Sequence, residues 1–178
     1  VCNRCITAVE RVFKDLNLEI NTVSLGEVET AEDLNSTELR KLDASLRESG
    51  FEILEDSAQQ LIEKVKNEII LLVDGLDIPE DFILSKWISE KLNRDYSAVS
   101  KLFSQNENVT LEQYFILQKI EKVKELLLYD EFSLTEISGK LGYKSVQHLS
   151  SQFKNVTGFT PSGFKKLKVK NRIPLDEI

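Results

Sequence analysis

Methionine is absent from the 178-residue chain, and histidine and tryptophan occur once each. The missing Met predicts that the native start lies upstream of Val1. Cysteine occurs only at Cys2 and Cys5, which excludes a disulfide framework and points to a reducing, cytoplasmic setting. Seven Gly and three Pro, with 41% hydrophobic and 30% charged residues, exclude collagenous, low-complexity and wholly disordered classes. No apolar run approaches the ~20 residues that span a bilayer, Glu68–Val73 being far too short, so no membrane partner is expected. The opening residues lack the apolar stretch of a signal peptide. With a single histidine, no Gly-rich phosphate loop, no Ser/His/Asp constellation and no paired-carboxylate motif, no catalytic machinery can be assigned, and the chain is read as not an enzyme. Thiol redox chemistry at the two cysteines is the one enzymatic version worth testing.

The net charge of −7 argues against nucleic acid until its distribution is considered. Residues 1–56 hold six Lys/Arg against thirteen Asp/Glu, whereas residues 82–172 hold fifteen against nine. An acidic front half is thus joined to a mildly basic back half. Lys165, Lys166, Lys168, Lys170 and Arg172 concentrate positive charge near the C-terminus.

In the front half, Ile6, Val9, Val12, Phe13 and Leu16 recur at helical steps, predicting a helix from Cys5 to about Leu16. Ile20, Val23, Leu25 and Val28, broken by Gly26, predict a strand or short hairpin. Asn35 with Glu38 predicts a capping box, Leu39, Leu42 and Leu46 a buried stripe, and Ser49-Gly50 a helix stop. Phe51–Leu54 reads as a further short strand. Cys2 and Cys5 sit at the start of the first helix, where a helix N-terminus lowers thiol pKa. Two thiolates without another soft ligand suit Cu(I) or another soft metal ion better than tetrahedral zinc. The residues Val1, Cys2, Asn3, Arg4, Cys5 and Val9, with Ser49-Gly50-Phe51-Glu52, resemble the heavy-metal-associated domain of copper chaperones and metal pumps. That resemblance implies a split-βαβ fold and a metal at Cys2/Cys5; the middle segment here is shorter and more acidic.

In the back half, Leu61, Ile62, Val65, Ile69 and Val73 predict a helix from Ser57, ended by Asp74-Gly75, and Pro79 is placed to open another. Two stretches then repeat. Ile88-Ser-Glu-Lys-Leu92 matches Ile137-Ser-Gly-Lys-Leu141 at an offset of 49, Phe103 matches Phe153 at 50, and Phe115 matches Phe164 at 49. Each repeat reads as a helix, a tight turn and a second helix ending on Phe, that is, a helix-turn-helix unit. Between them, a helix capped by Thr110 and Gln113 carries a broad apolar face from Leu111 to Leu128.

This arrangement resembles the AraC/XylS-type DNA-binding domain over residues 57–168. The stretches that carry the likeness are 84–92, 99–103, 119–127 and 133–143, with His148–Phe153 and Thr157-Gly158-Phe159-Thr160-Pro161. The resemblance implies promoter binding and transcriptional control through contact with RNA polymerase. The expected fold is therefore α+β: a small split-βαβ (ferredoxin-like, incomplete) domain over 1–56, an all-α double helix-turn-helix domain over 57–170, and a tail, 171–178.

Beside the buried positions of the two second helices, Ser97, Ala98, Ser100 and Lys101, and then Gln147, His148, Ser151 and Gln152, are the candidate base-contacting residues. Arg94, Lys144 and Lys154 are candidate phosphate contacts. Ser97, Ser100 and Ser151 stand where the family often has Arg or a larger polar residue, which lowers the number of bidentate contacts. The alternative function is a metal-binding or protein-interaction module with weak, non-specific DNA binding.

Overall fold

A computed structural model of the chain describes residues 3–54 and 56–166. The chain divides into two compact units at Asn67/Glu68. The first contains α1 (Asn3–Asp15), β1 (Ile20–Ser24), β2 (Glu27–Thr30), α2 (Ser36–Glu48) and the opening turns of α3 (Ser57–Asp74).

Val12 and Phe13 of α1 and Leu42 and Leu46 of α2 form the buried core of this unit. Helical phase places each pair on one face of its helix, as the sequence predicts. Val9, Leu16, Leu18, Ile20, Val28, Leu34, Phe51 and Ile53 pack around them. Leu39, expected in the same stripe, is 41% exposed instead. It lies in the first turn of α2, and Leu34, just ahead of the cap, packs against the core in its place. The capping box forms as predicted: Asn35 Oδ1 accepts from Thr37 and Glu38 N–H at 2.9 and 3.1 Å, and the Glu38 carboxylate accepts from Asn35 N–H at 2.9 Å.

Strands β1 and β2 pair antiparallel, with Val23 opposite Val28 and Ser24 opposite Glu27. The two-residue turn Leu25-Gly26 needs a positive φ, which Gly26 supplies at +73°. A Cβ there would lie 2.3 Å from the Asn67 side-chain nitrogen, which donates to Leu25 C=O at 3.2 Å. Glycine thus lets α3 hold the hairpin tip.

Phe51–Leu54 is not a strand. Phe51 N–H donates to Leu46 C=O at 2.9 Å, closing the end of α2, and Ile53 N–H is directed to the Asp43 carboxylate. Phe51 and Ile53 keep their period-two apolar contacts with the core, but a backbone donor engaged by a side chain has none to give to a ladder. The described residues accordingly form a two-stranded sheet, not the sheet of a split-βαβ sandwich.

The second unit takes the rest of α3 and then α4 (Leu84–Leu92), α5 (Tyr96–Asn106), α6 (Leu111–Tyr129), α7 (Leu134–Lys140), α8 (Val146–Thr157) and α9 (Pro161–Lys166). Pro79 does not open a helix: Phe82 N–H returns to Pro79 C=O at 3.1 Å in a turn, and α4 begins at Leu84. The adjacent Ile78 is buried and bridges to Leu141, its N–H donating to Lys140 C=O at 3.0 Å.

The centre of the unit is α6. Leu111, Tyr114, Phe115, Ile120, Val123, Leu126 and Leu127 are buried, and so are Gln118, Lys119, Glu121 and Lys124. Burial of both apolar and polar residues means that neighbours surround this helix on most sides, and the sequence shows only the apolar part. Lys124 and Glu121 satisfy each other as a buried ion pair, and Lys122 pairs with Asp74 of α3 at 2.8 Å. At 1.5 Å per residue α6 is roughly 28 Å long, a rigid spacer between the helix pairs on either side of it.

Candidate nucleic-acid interface

The two helix pairs, α4–α5 and α7–α8, are built alike. Ile88 and Ile137 are fully buried at equivalent places on the first helices; Val99 and Leu149, then Phe103 and Phe153, are buried on the second. Each first helix runs into a residue of positive φ, Asn93 at +50° and Gly142 at +64°. Each second helix is capped by a polar side chain: the Asp95 carboxylate accepts from Ala98 N–H at 3.1 Å, and Ser145 Oγ accepts from His148 N–H at 3.1 Å. The second turn is one residue longer, and this is where the repeat offset steps from 49 to 50.

The correspondence after the second helices differs from the sequence reading. Phe153 meets Phe164 with ring centroids 5.6 Å apart, and Phe103 meets Tyr114 at 5.5 Å. Thr110 and Thr160 cap α6 and α9 the same way, accepting from Gln113 N–H at 3.2 Å and Gly163 N–H at 3.1 Å. Tyr114, not Phe115, is therefore the partner of Phe164 in the repeat, and the offset remains 50. Matching identical letters picked the neighbouring ring.

Of the sequence-predicted base contacts, Ser97, Ala98 and Lys101 on α5 are exposed, as are Gln147, His148 and Ser151 on α8. Ser100 and Gln152 are half-buried. Ser97 Oγ donates to the Asp95 carboxylate, holding its pKa below the usual carboxylate range. Ser100 hydrogen-bonds to the Tyr96 phenol, whose hydroxyl donates to Glu112. Partial burial and then Glu112 push the Tyr96 pKa up, and the bond from Tyr96 lowers that of Glu112. Arg94, Lys144 and Lys154 are exposed around the two helix pairs.

Two residues the sequence reading missed organise the second pair. Tyr143, buried in the turn between α7 and α8, donates through its hydroxyl to Gln152 Oε1 at 2.8 Å. Its ring meets the His148 ring edge-on, at 5.4 Å and 82°. On its face lies the ammonium of Lys119 from α6, 3.7 Å from the ring centroid and 5.3 Å from that of Phe115. Burial lowers the Lys119 pKa to about 8 and raises that of Tyr143. The available signal was Lys119 falling one turn after Phe115 on a mostly apolar helix face.

In the first unit, Cys5 is half-buried near the start of α1 with a free thiol. Cys2 lies outside the described residues, as do Lys168, Lys170 and Arg172. Among the described residues no three His, Cys, Asp or Glu side chains gather in a metal-holding group, and no helix is long and apolar enough to cross a membrane.

Residues 88–167 match the family model for the helix-turn-helix domain. Over this stretch the chain is similar to helix-turn-helix domains. Two curated relatives align with it. The Msm operon regulatory protein of Streptococcus mutans is 32% identical over 79 residues, 44% of this chain and 28% of that protein. The xylose operon regulatory protein of Haemophilus influenzae is 31% identical over 78 residues, 44% of this chain and 20% of that protein. The chain thus spans about a quarter of these relatives' length, and the likeness lies in the helix-turn-helix stretch. Among solved structures, the C-terminal domain of the response regulator AraT from Geobacillus stearothermophilus superposes with a TM-score of 0.54 at 21% identity, over 67% of this chain and 92% of that one. The C-terminal domain of the two-component response regulator yesN from Fusobacterium nucleatum superposes with a TM-score of 0.50 at 28% identity, over 62% of this chain and all of that one. The first of these supports the fold alone. The heavy-metal-associated resemblance of the first unit gains no support from these relatives.

Proposed function

We propose that the chain is a sequence-specific DNA-binding transcription regulator that presents α5 and α8 to successive major grooves. The observation that carries this reading is the duplicated helix pair on a rigid spacer helix: equivalent buried positions leave equivalent outward faces. Major grooves on one side of a duplex recur every ~34 Å, so a fixed spacer of comparable length lets one chain engage two of them. Ser97, Ala98, Ser100, Lys101, Gln147, His148, Ser151 and Gln152 are the proposed base-facing set, and Arg94, Lys144 and Lys154 the phosphate contacts. The operon regulators among its relatives support a role in transcriptional control, and contact with RNA polymerase in the cytoplasm is proposed with it.

The acidic first unit is proposed as a regulatory or interaction module, with Cys2 and Cys5 as its candidate soft-metal pair. Cys2→Ser with Cys5→Ser, followed by copper titration of the full chain, tests that assignment. Retention of stoichiometric Cu(I) by the double variant overturns it.

Selection of sites from a random duplex library at low and moderate salt tests the main reading. A reproducible motif retained at moderate salt is expected. Binding that enriches nothing and fades with salt is electrostatic contact alone, the outcome that favours an interaction module instead.

A further inference from the structure

We propose that the two helix pairs divide the work on DNA: α8 discriminates sequence, while α5 anchors the chain without discriminating, and Tyr143 is the positioning residue behind α8. This inference rests on the DNA-binding reading above.

The first reading helix has little with which to discriminate. A serine hydroxyl carries one proton, and on α5 that of Ser97 goes to Asp95 and that of Ser100 to Tyr96. Ala98 carries no polar side-chain atom. Lys101 remains, an exposed ammonium with three donors and no acceptor. It suits a phosphate as a point charge or the acceptors of guanine, and cannot make the paired donor and acceptor contact that identifies adenine. The ionised Asp95 at the N-terminus of α5 disfavours close approach of the phosphate backbone to the first turn, so the α5 contact is centred on Lys101 further along the helix.

The second reading helix differs at each of these points. Gln147 is exposed and offers a donor and an acceptor on one amide, the combination that matches adenine N7 and N6. His148 is exposed on the same turn, and its ring is held edge-on by Tyr143 at 5.4 Å. Tyr143 is in turn held at its hydroxyl by Gln152 and at its face by the Lys119 ammonium. The His148 and Gln152 side chains of α8 are therefore placed before DNA arrives, which removes part of the ordering cost of binding. In the first pair, the residue that follows the positive-φ turn position, where Tyr143 stands in the second, is the exposed Arg94, not a buried ring.

The test is site selection and salt-dependent binding with the full chain as wild type, Lys101→Ala, Gln147→Ala, Tyr143→Phe and Tyr143→Leu. The wild type is expected to enrich a motif whose informative positions cluster in one half. Lys101→Ala keeps that motif, weakens binding to all duplexes alike, and lowers the slope of log affinity against log salt by about one. Gln147→Ala loses about tenfold preference at one position. Tyr143→Leu loses discrimination several-fold while holding its low-salt affinity for random duplex, and Tyr143→Phe, which keeps the ring, restores most of it. A motif with two equally informative halves, a change of base preference in Lys101→Ala, or an unchanged motif in Gln147→Ala or Tyr143→Leu overturns the division. A wild-type chain that enriches no motif overturns the DNA-reading proposal itself.

Discussion

The ammonium of Lys119 lies 3.7 Å from the centroid of the Tyr143 ring, so a buried cation from the spacer helix sits beneath the turn that leads into α8. A cation over a desolvated aromatic face gains ~2 kcal/mol, which offsets part of the cost of burying it.

That burial makes stability depend on pH. The Lys119 pKa is near 8 in the folded chain, against an ordinary value of 10.5. Between these values the unfolded chain holds the proton and the folded chain has released it, so stability rises with pH. The rise expected from pH 7 to pH 9.5 is on the order of 2 kcal/mol, at ~1.4 kcal/mol per pH unit within the window. Beyond about pH 10 the gain reverses, because Tyr96 and Tyr143 have raised pKa values and resist ionisation in the folded state. Urea midpoints of the wild type and Lys119→Met across this range check it: the rise disappears in the variant.

Gly142 and Gly50 separate backbone strain from crowding. Both have positive φ, +64° and +81°. A Cβ at Gly142 would lie 2.7 Å from both Ile78 Cγ2 and Pro79 C=O, whereas one at Gly50 meets nothing within 4 Å. Gly50→Ala is expected to cost ~1 kcal/mol, the usual left-handed penalty. Gly142→Ala should cost several times that, read as the difference in denaturation midpoints.

The aromatic pairs predict equivalence between the repeats. Phe103 and Phe153 are both fully buried, each against one further ring. Phe103→Ala and Phe153→Ala should each lose ~3–5 kcal/mol of stability. Calorimetry of the two variants should give similar shifts, whereas Phe159→Ala, at a site 47% exposed, should give little.

Arg94, Lys144 and Lys154 are exposed cations near the reading helices, and each is expected to act on phosphate. Replacement of any one by Ala should lower the salt slope of binding by ~0.9, the share of a single neutralised phosphate, without altering base preference. Affinity measured from low to moderate salt on specific and random duplexes checks this.

Most of the helical frame was legible because helix signals are local: the Asn35–Glu38 and Ser133–Glu136 boxes and the period of Val99 and Phe103 lie within a few residues. Gly26 marked the hairpin turn for the same reason. The failures were non-local. Phe51–Leu54 has the alternation of a strand, and its backbone donors were claimed by Leu46 and Asp43. Leu39 has the right period and lies beyond the edge of the core. For the interface, the outward positions followed from helical phase, but the engagement of Ser97 by Asp95 and of Gln152 by Tyr143 depends on how the side chains meet in the folded chain. Lys119 illustrates the limit most sharply: nothing in its neighbours' identity states that an aromatic ring 24 positions later will cover it.

The bridge from Ile78 to Leu141 has a practical consequence for dissecting the molecule. The family-model match begins at residue 88, ten residues after Ile78. A fragment cut at that homology edge would remove the donor to Lys140 C=O and the side chain packed against Gly142. It would open a hole beside the distal helix pair, more than 50 residues from the cut. Expression fragments designed from alignment limits should thus yield a loosened α7–α8 pair, and those begun ahead of α3 a tight one.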